Sequence, residues 1–496
     1  MLVIGIDLGT QSCKAVVCDE GLAVRGKHAV PCTTSYPGPD AAEQDPAAWV
    51  AALGPAIGGA LADAGARAED IAAIAVAGQL DGCVAVDAAG APLHPALIWQ
   101  DRRAIAEVAA ADPRALFELT GQVADPSHMA PKVRWLRARC PGAARFHQPV
   151  TYLVERLTGE AVIDPALAST TMLLELAGAA GPRWAQSLLD AFEISPAELP
   201  RILPACAIAG ALTAEGARLT GLRAGTPVAV GTGDDFATPL GAGVVGPGLA
   251  ICAIGTGEVA GAVAAQPVLD RVADEPMLET HAYPTGAYYI ENPGWLSGGA
   301  VRWAVGLLGL AGDAELDALA AAAPPGAGGV TFIPALAGAM TPVWRPHARG
   351  TLHGLAASHG RGHVARAVLE GLAFAARDVV DRLAALGLPA GRVLLLGGGS
   401  RSAVWAQLRA DVLGVPHDVA ASTETCPIGA AMIASVAAGV HEGLVAAAAA
   451  ISQPPPRSFA PGAHLAASDA AYRRYRVLVD QLAPLGRAAW APEPAT

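Results

Sequence analysis

Basic clusters are missing from this chain. Its 33 Lys and Arg are outnumbered by 45 Asp and Glu, for a formal net charge of −12, and nowhere do the basic residues gather into a stripe that could follow a nucleic-acid backbone. Nucleic acid is therefore not expected as a partner. CxxC pairs are absent too: Cys13, Cys18, Cys32, Cys83, Cys140, Cys206, Cys252 and Cys426 lie mostly among apolar neighbours. They read as reduced core thiols in a cytoplasmic protein. No basic region precedes the first apolar residues, which run straight into Asp7, so no signal peptide is expected. Although 53% of the residues are hydrophobic, much of that is alanine, as in 445–450, and no run approaches the ~20 strongly apolar residues of a spanning helix. No membrane partner is expected.

What is present is length and glycine-punctuated strands. With 496 residues the chain exceeds what one core organises, and a mixed α/β protein of two large halves is the starting expectation. The border is placed near Gly243–Gly248, giving domains 1–245 and 246–440 with a linker and helix over 441–496. The opening stretch, Ile4-Gly5-Ile6-Asp7-Leu8-Gly9-Thr10-Gln11-Ser12-Cys13-Lys14, predicts a strand, a tight turn and a return strand, the start of a three-strand meander reaching Lys27. Such a turn aims successive backbone N–H groups at an anion, and a carboxylate at the strand end can hold hydrated Mg²⁺. An ordinary hairpin with an edge Asp fits the same residues.

Further along, Asp45-Pro46 opens a helix to about Asp63, and Ile71–Ala77 is a buried strand running into Gly78-Gln79-Leu80-Asp81-Gly82. Val84–Val86 is expected to pair with Leu93 and its neighbours through a turn at Asp87–Gly90. The second half echoes the opening: strand Leu249–Ile254, turn Gly255-Thr256-Gly257, strand Val259–Val263. Strand Gly225–Val230 leads into Gly231-Thr232-Gly233-Asp234-Asp235. A helix over His363–Leu386 precedes strand Val393–Leu396 and the glycines Gly397-Gly398-Gly399, whose other reading is a tight turn with close helix packing. Pro-rich Gln453–Arg457 reads as a linker before an amphipathic helix, Leu465–Leu482.

This ordered set resembles the two phosphate loops and adenosine loop of the actin-like ATPase superfamily. Within it, Gly350-Thr351-Leu352-His353-Gly354-Leu355 followed after a spacer by His363-Val364-Ala365-Arg366-Ala367-Val368-Leu369-Glu370 fits the second signature of the FGGY carbohydrate kinases. Glu43-Gln44-Asp45-Pro46, Ile98-Trp99-Gln100-Asp101-Arg102, Pro131-Lys132-Val133-Arg134-Trp135-Leu136, Tyr152-Leu153, Leu157-Thr158-Gly159 and Gly429-Ala430-Ala431 are similar to further blocks of its xylulokinase-like branch. The resemblance spans essentially the whole chain. It implies two ribonuclease-H-like α/β domains flanking a central cleft, ATP and Mg²⁺, a small sugar or polyol as acceptor, and a homodimer.

Asp234 then stands at the family's catalytic base, where a carboxylate after two glycines can approach both a substrate hydroxyl and a γ-phosphate. A helix N-cap is its plainer reading. Asp7 and Asp234 would hold Mg²⁺, partly through water. Thr10, Gln11, Lys14, Gly255, Thr256 and Gly257 resemble the phosphate-side groups, and Gly398, Gly399 and Ser402 the adenosine side. The acceptor would meet Gln79, Leu80, Asp81, Asp234 and Asp235, with Trp99, Asp101 and His128 in reserve. Departures fall where the branch would hold its sugar. GQMHG becomes Gly78-Gln79-Leu80-Asp81-Gly82, Asp235 replaces Asn or Gln, GERTP becomes Gly338-Ala339-Met340-Thr341-Pro342, and Met129 breaks the first signature. ATP-dependent phosphorylation of D-xylulose is expected first, with a tetritol, a pentitol or another ketose as alternative acceptor. A sugar-binding pseudokinase is the non-enzymatic alternative.

Overall fold

The computed structural model describes residues 1–176, 181–451 and 456–489. Two seven-stranded sheets carry it, and each is built the same way. In the first, Leu2–Leu8, Ser12–Cys18 and Val24–Pro31 form the expected antiparallel meander. Ile71–Gly78 then joins the free edge of Leu2–Leu8 in parallel. In the second, Ala250–Ile254 pairs with Gly257–Ala264 and that strand with Tyr288–Leu296, while Val393–Leu396 joins Ala250–Ile254 in parallel. The internal echo read from the sequence is thus a repeat of topology. Strand polarity explains it: hairpins make the antiparallel pairs, and a helical crossover is needed before each parallel one.

Asp45 caps the helix Pro46–Ala64 by accepting from the Ala47 N–H, and Gly65 ends it in the left-handed region at φ 61°. Trp49, Leu53, Ala56, Ile57 and Ala60 bury its inner face in the core of the first sheet. This helix corrects one expectation, since by length and composition it would suffice to cross a bilayer. Val84–Val86 meets the segment after the Asp87–Gly90 turn as expected, through a bridge from Val86 to Pro92 and a hydrogen bond from Leu93 N–H to the Ala85 carbonyl, and it also pairs with Arg145–His147, which the sequence did not indicate.

The helix Thr425–Ala437 belongs by sequence to the second half yet packs against Leu2–Leu8, Ile71–Gly78 and the helix Asp234–Gly241. Its seat is made of glycines. A Cβ on Gly5 would lie 1.9 Å from the Pro427 carbonyl oxygen, one on Gly241 1.9 Å from that of Thr425, and one on Gly429 2.0 Å from that of Ala237. The seam where the halves join is therefore closed at backbone contact, and no side chain fits there. Of the Pro-rich stretch, 452–455 lie outside the described residues. Arg457–Phe459 adds an antiparallel edge strand to His417–Val419, and the terminal helix, Leu465–Ala489, buries Tyr472, Tyr475 and Val479 in the core of the second sheet.

Candidate functional site

The strand Ile71–Gly78 delivers Gln79, Leu80 and Asp81 to the mouth between the halves. The short strand Thr232–Gly233, parallel to it, delivers Asp234 and Asp235 as the first turn of the helix Asp234–Gly241. The Gln79 amide is locked from behind. Its Nε2 donates to Gln44 Oε1 at 2.8 Å, an oxygen that also accepts from Trp49 Nε1 at 2.9 Å. Gln79 Oε1 is left buried with no hydrogen-bond partner among the described residues. Leu80 packs within reach of Gly233.

Asp81 sits at φ 62°, a left-handed conformation a non-glycine residue adopts only when its surroundings hold it. Its N–H donates to Gln148 Oε1 at 3.0 Å, and its carbonyl accepts from the buried Lys132 Nζ at 2.9 Å. Lys132 also donates to the carbonyls of Ile98, at 2.8 Å, and Ser127. Burial lowers its pKa to about 8. The Asp81 carboxylate faces His128, with Nδ1 3.1 Å from Oδ1. On the other side His128 Nε2 lies 3.3 Å from Glu279 Oε1. Burial opposes a charge on this ring, but Asp81 and Glu279 outweigh it and raise its pKa well above the ordinary value. His128 thus stands between two carboxylates, one from each half, that favour its charged form.

The second half contributes a face the sequence reading missed. Glu279 lies opposite Glu291, and His281 opposite Tyr289, in the antiparallel pair Glu279–Ala282 and Tyr288–Leu296. Strand alternation puts all four side chains on one side. Phe236, one residue past the two acids, rests on that side, its ring 5.4 Å from His281 and 6.3 Å from Tyr289. This contact brings Glu279 and Glu291 beside the mouth. Burial, then the charges of Asp235 and Asp7, push the Asp234 carboxyl well up, and burial with Glu291 and Asp81 does the same to Asp235. Burial with Glu279, Asp81 and Asp234 raises Glu291 likewise. Burial also holds His281 neutral, with its pKa lowered to about 4.

Asp101 and Trp99 have other tasks. Asp101, fully buried, accepts from the Ala42 N–H at 2.9 Å and pairs with Arg103. Trp99 is 43% exposed and donates its indole N–H to Thr10 Oγ1 at 2.9 Å. The departures at Ala339 and Met340 do not join the acids. Ala339 packs on the core of the second sheet, and the Met340 carbonyl accepts from Asn292 Nδ2.

The remaining candidates sit in turns at the ends of the two hairpins and after the strand Val393–Leu396. Asp7 stands one residue before the end of the first strand, its pKa pushed up to about 6 by burial despite Lys14. Gln11 is exposed at the turn. Lys14 does not stand free: Glu424, just before the helix Thr425–Ala437, takes its Nζ at 2.6 Å and that of Lys27 at 3.1 Å. In the second hairpin the Gly255 N–H donates to the Gly257 carbonyl at 2.8 Å. The Thr256 carbonyl accepts from Ser297 and Gly299 N–H, and its hydroxyl from Arg302. Gly397 turns at φ 80° against Ile254, Gly399 abuts Ile254 and Trp405, and the space where a Gly398 side chain would stand is open. Ser402 caps the next helix by accepting from the Trp405 N–H at 3.0 Å.

Among the described residues no group of three His, Cys, Asp or Glu is arranged to hold a metal by itself. Asp7 is nonetheless near enough for its charge to help raise the Asp234 pKa, and a hydrated cation completed by phosphate oxygens fits such a pair.

Comparison with known proteins shows the family of the chain. The N-terminal domain of the FGGY family of carbohydrate kinases matches residues 2–241, and its C-terminal domain residues 250–438. A xylulose kinase of Escherichia coli (strain K12) is 34% identical over 451 residues, covering 90% of this chain and 92% of the relative. A glycerol kinase of Bordetella parapertussis is 33% identical over 473 residues, with 89% and 90% covered. The crystal structure of xylulose kinase from Rhodospirillum rubrum superposes with a TM-score of 0.85 at 30% identity, covering 98% of this chain and 100% of that one.

Proposed function

The chain belongs to the FGGY family of carbohydrate kinases, phosphotransferases with an alcohol group as acceptor, and we propose that it transfers the γ-phosphoryl group of ATP to a primary hydroxyl of D-xylulose. A tetritol, a pentitol or another ketose is the second reading. It is favoured by Asp81 and Asp235, and glycerol kinases match the chain about as well as xylulose kinases do. The observation that carries the proposal is the position of Asp234: buried at a helix start, beside Asp235 and within reach of the charge of Asp7 at the first glycine turn.

In this reading Asp234 orients the acceptor hydroxyl and takes its proton as the oxygen bonds to the γ-phosphorus. The bond to the bridging oxygen breaks, and ADP leaves with the electron pair. Desolvation makes Asp234 a stronger base than an ordinary Asp, and a loose transition state asks little early deprotonation of it. The turns at Gly9–Gln11 and Gly255–Gly257 present backbone N–H groups to phosphate oxygens. Gly398, with open space where a side chain would stand, leaves room for adenosine, and Gly399 lets the same turn lie against Ile254 and Trp405. Mg²⁺ held by Asp7 and Asp234 through water would neutralise phosphate charge. The acids around the acceptor favour a neutral polyol or ketose over a sugar acid such as gluconate, because carboxylates accept from hydroxyls and repel anions.

The boundary at Gly243–Gly248 is kept as the domain border, supported by the sheet repeat on either side. A cytoplasmic location is supported by the free, buried or half-buried thiols, and a homodimer by the family resemblance. A coupled ADP-release screen of ketoses, polyols and sugar acids tests the proposal. Turnover with D-xylulose at the highest kcat/KM is expected, a polyol in first place moves the assignment to the second reading, and turnover with none of them overturns it.

A further inference from the structure

Two oxygen atoms at the mouth have no partner among the described residues. One is Gln79 Oε1 and the other Glu291 Oε2, on side chains 2% exposed in each case. Buried acceptors without donors are costly, and native structures keep them where something else supplies the hydrogen. Gln79 cannot turn its amide round to escape, because Nε2 is committed to Gln44. Glu291 has one ring beside it: His281 Nε2 lies 3.2 Å from Oε1 without the geometry of a hydrogen bond, and no donor reaches Oε2 among the described residues. Glu291 also stands close enough to Asp81 and Asp234 to feel both charges, and Asp235 feels Glu291 in turn. The free oxygen therefore lies at the pocket that holds the proposed base, although Glu291 comes from the other sheet.

We propose that Glu291 takes a hydrogen bond from an acceptor hydroxyl through Oε2 and, with Gln79 Oε1 from the first half, determines which polyhydroxylated acceptors the enzyme prefers. The assignment rests on the kinase reading above and adds a specificity residue from the second half. It also gives acceptor binding a direct hold on both halves, because Gln79 and Glu291 belong to different sheets. An acceptor with hydroxyls to spare beyond the one phosphorylated satisfies both oxygens; a three-carbon triol has fewer to offer. Five-carbon ketoses and polyols should gain most from Glu291.

The test compares D-xylulose, xylitol, meso-erythritol and glycerol as acceptors for the wild-type protein and for Glu291→Met, which fills the same space without oxygen. The KM for the preferred acceptor is expected to rise about tenfold, the size of one lost buried hydrogen bond. The KM for ATP should stay within about twofold, and the kcat/KM ratio of five-carbon to three-carbon acceptors should fall about fivefold. A purely structural role for Glu291 would lower the melting temperature and leave that ratio alone. Should Glu291→Met give no soluble protein, Glu291→Gln carries the same measurement, with the same direction and a smaller shift. If the wild-type protein phosphorylates none of the four, the kinase reading falls and this inference with it. If it phosphorylates them and the variant leaves acceptor KM and ranking within about twofold, the kinase reading stands and Glu291 is not a specificity residue.

Discussion

The two sides of the mouth are built from different materials. Around the proposed acceptor, side chains do the work: Gln79, Asp81, His128, Glu279, His281 and Glu291 come from four segments and are held by one another, by Gln44 and by Lys132. Around the proposed phosphates, backbone does it: two hairpin turns and a run of glycines, with side chains mostly engaged elsewhere, Lys14 on Glu424 and Ser402 on its own helix. A backbone site tolerates many sequences provided the glycines stay. A side-chain site changes with each residue, and specificity varies there.

The comparison breaks first at Asp234, which faces both sides. Asp234→Asn should lower kcat by at least about a hundredfold while leaving the ATP dissociation constant within about threefold, as loss of a positioned base does. A variant retaining a tenth of wild-type turnover would remove Asp234 from that role.

On the acceptor side the support is as important as the contacts. Lys132→Met strips the donor from the carbonyls of Asp81, Ile98 and Ser127, which should cost about 3 kcal/mol of unfolding free energy in urea titration. A loss below about 0.5 kcal/mol would show that water replaces the ammonium there.

On the phosphate side one methyl group should suffice. A Cβ on Gly298 would come within 2.2 Å of the Gly255 carbonyl oxygen, so Gly298→Ala should displace the second turn. The KM for ATP is then expected to rise about tenfold with the acceptor KM unchanged. Equal rises in both would mean that the two sides are not separable.

The smallest effect is on pH. Burial raises the pKa of Asp7 to about 6 and of Asp164 to about 7, and that of His128 is raised as well. Each holds its proton more tightly folded than unfolded, so its contribution is complete at low pH and is lost as pH rises through the folded value. His281 at about 4 and His417 at about 3 act oppositely, but only below their unfolded value of 6.5. Between pH 6.5 and 7.5 the protein without ligands should therefore lose on the order of 1 kcal/mol of stability. A melting temperature that rises across that interval would show the acids to be relieved in another way.

A replacement that sequence reasoning favours, His at Asp81, illustrates the same division. Viewed along the chain it restores the residue usual in the xylulokinase-like branch and should move preference toward D-xylulose. In the structure it would set a second imidazole against the charged His128, which already spans to Glu279. Asp81 and His128 are a unit, and exchanging one alone leaves the other buried without its counter-charge.

By itself the sequence determined whatever is encoded locally. Alternating apolar residues and glycine turns specified the repeated meander, and Asp45-Pro46 the start of the first helix, while Asp7, Asp234 and the three glycine turns pointed to the proposed nucleotide side through their family resemblance. Turn geometry and caps depend on neighbours a few residues away, so they can be read in order. Only the tertiary structure decided that Thr425–Ala437 crosses back onto the first sheet, that Glu424 takes Lys14, and that Glu279, His281 and Glu291 face Asp81 and Asp235. The alternation that puts Glu279 and Glu291 side by side could have been noticed in the strands. What they face could not, because burial and charge pairing across two sheets depend on distances between residues far apart in the chain, which no local pattern records.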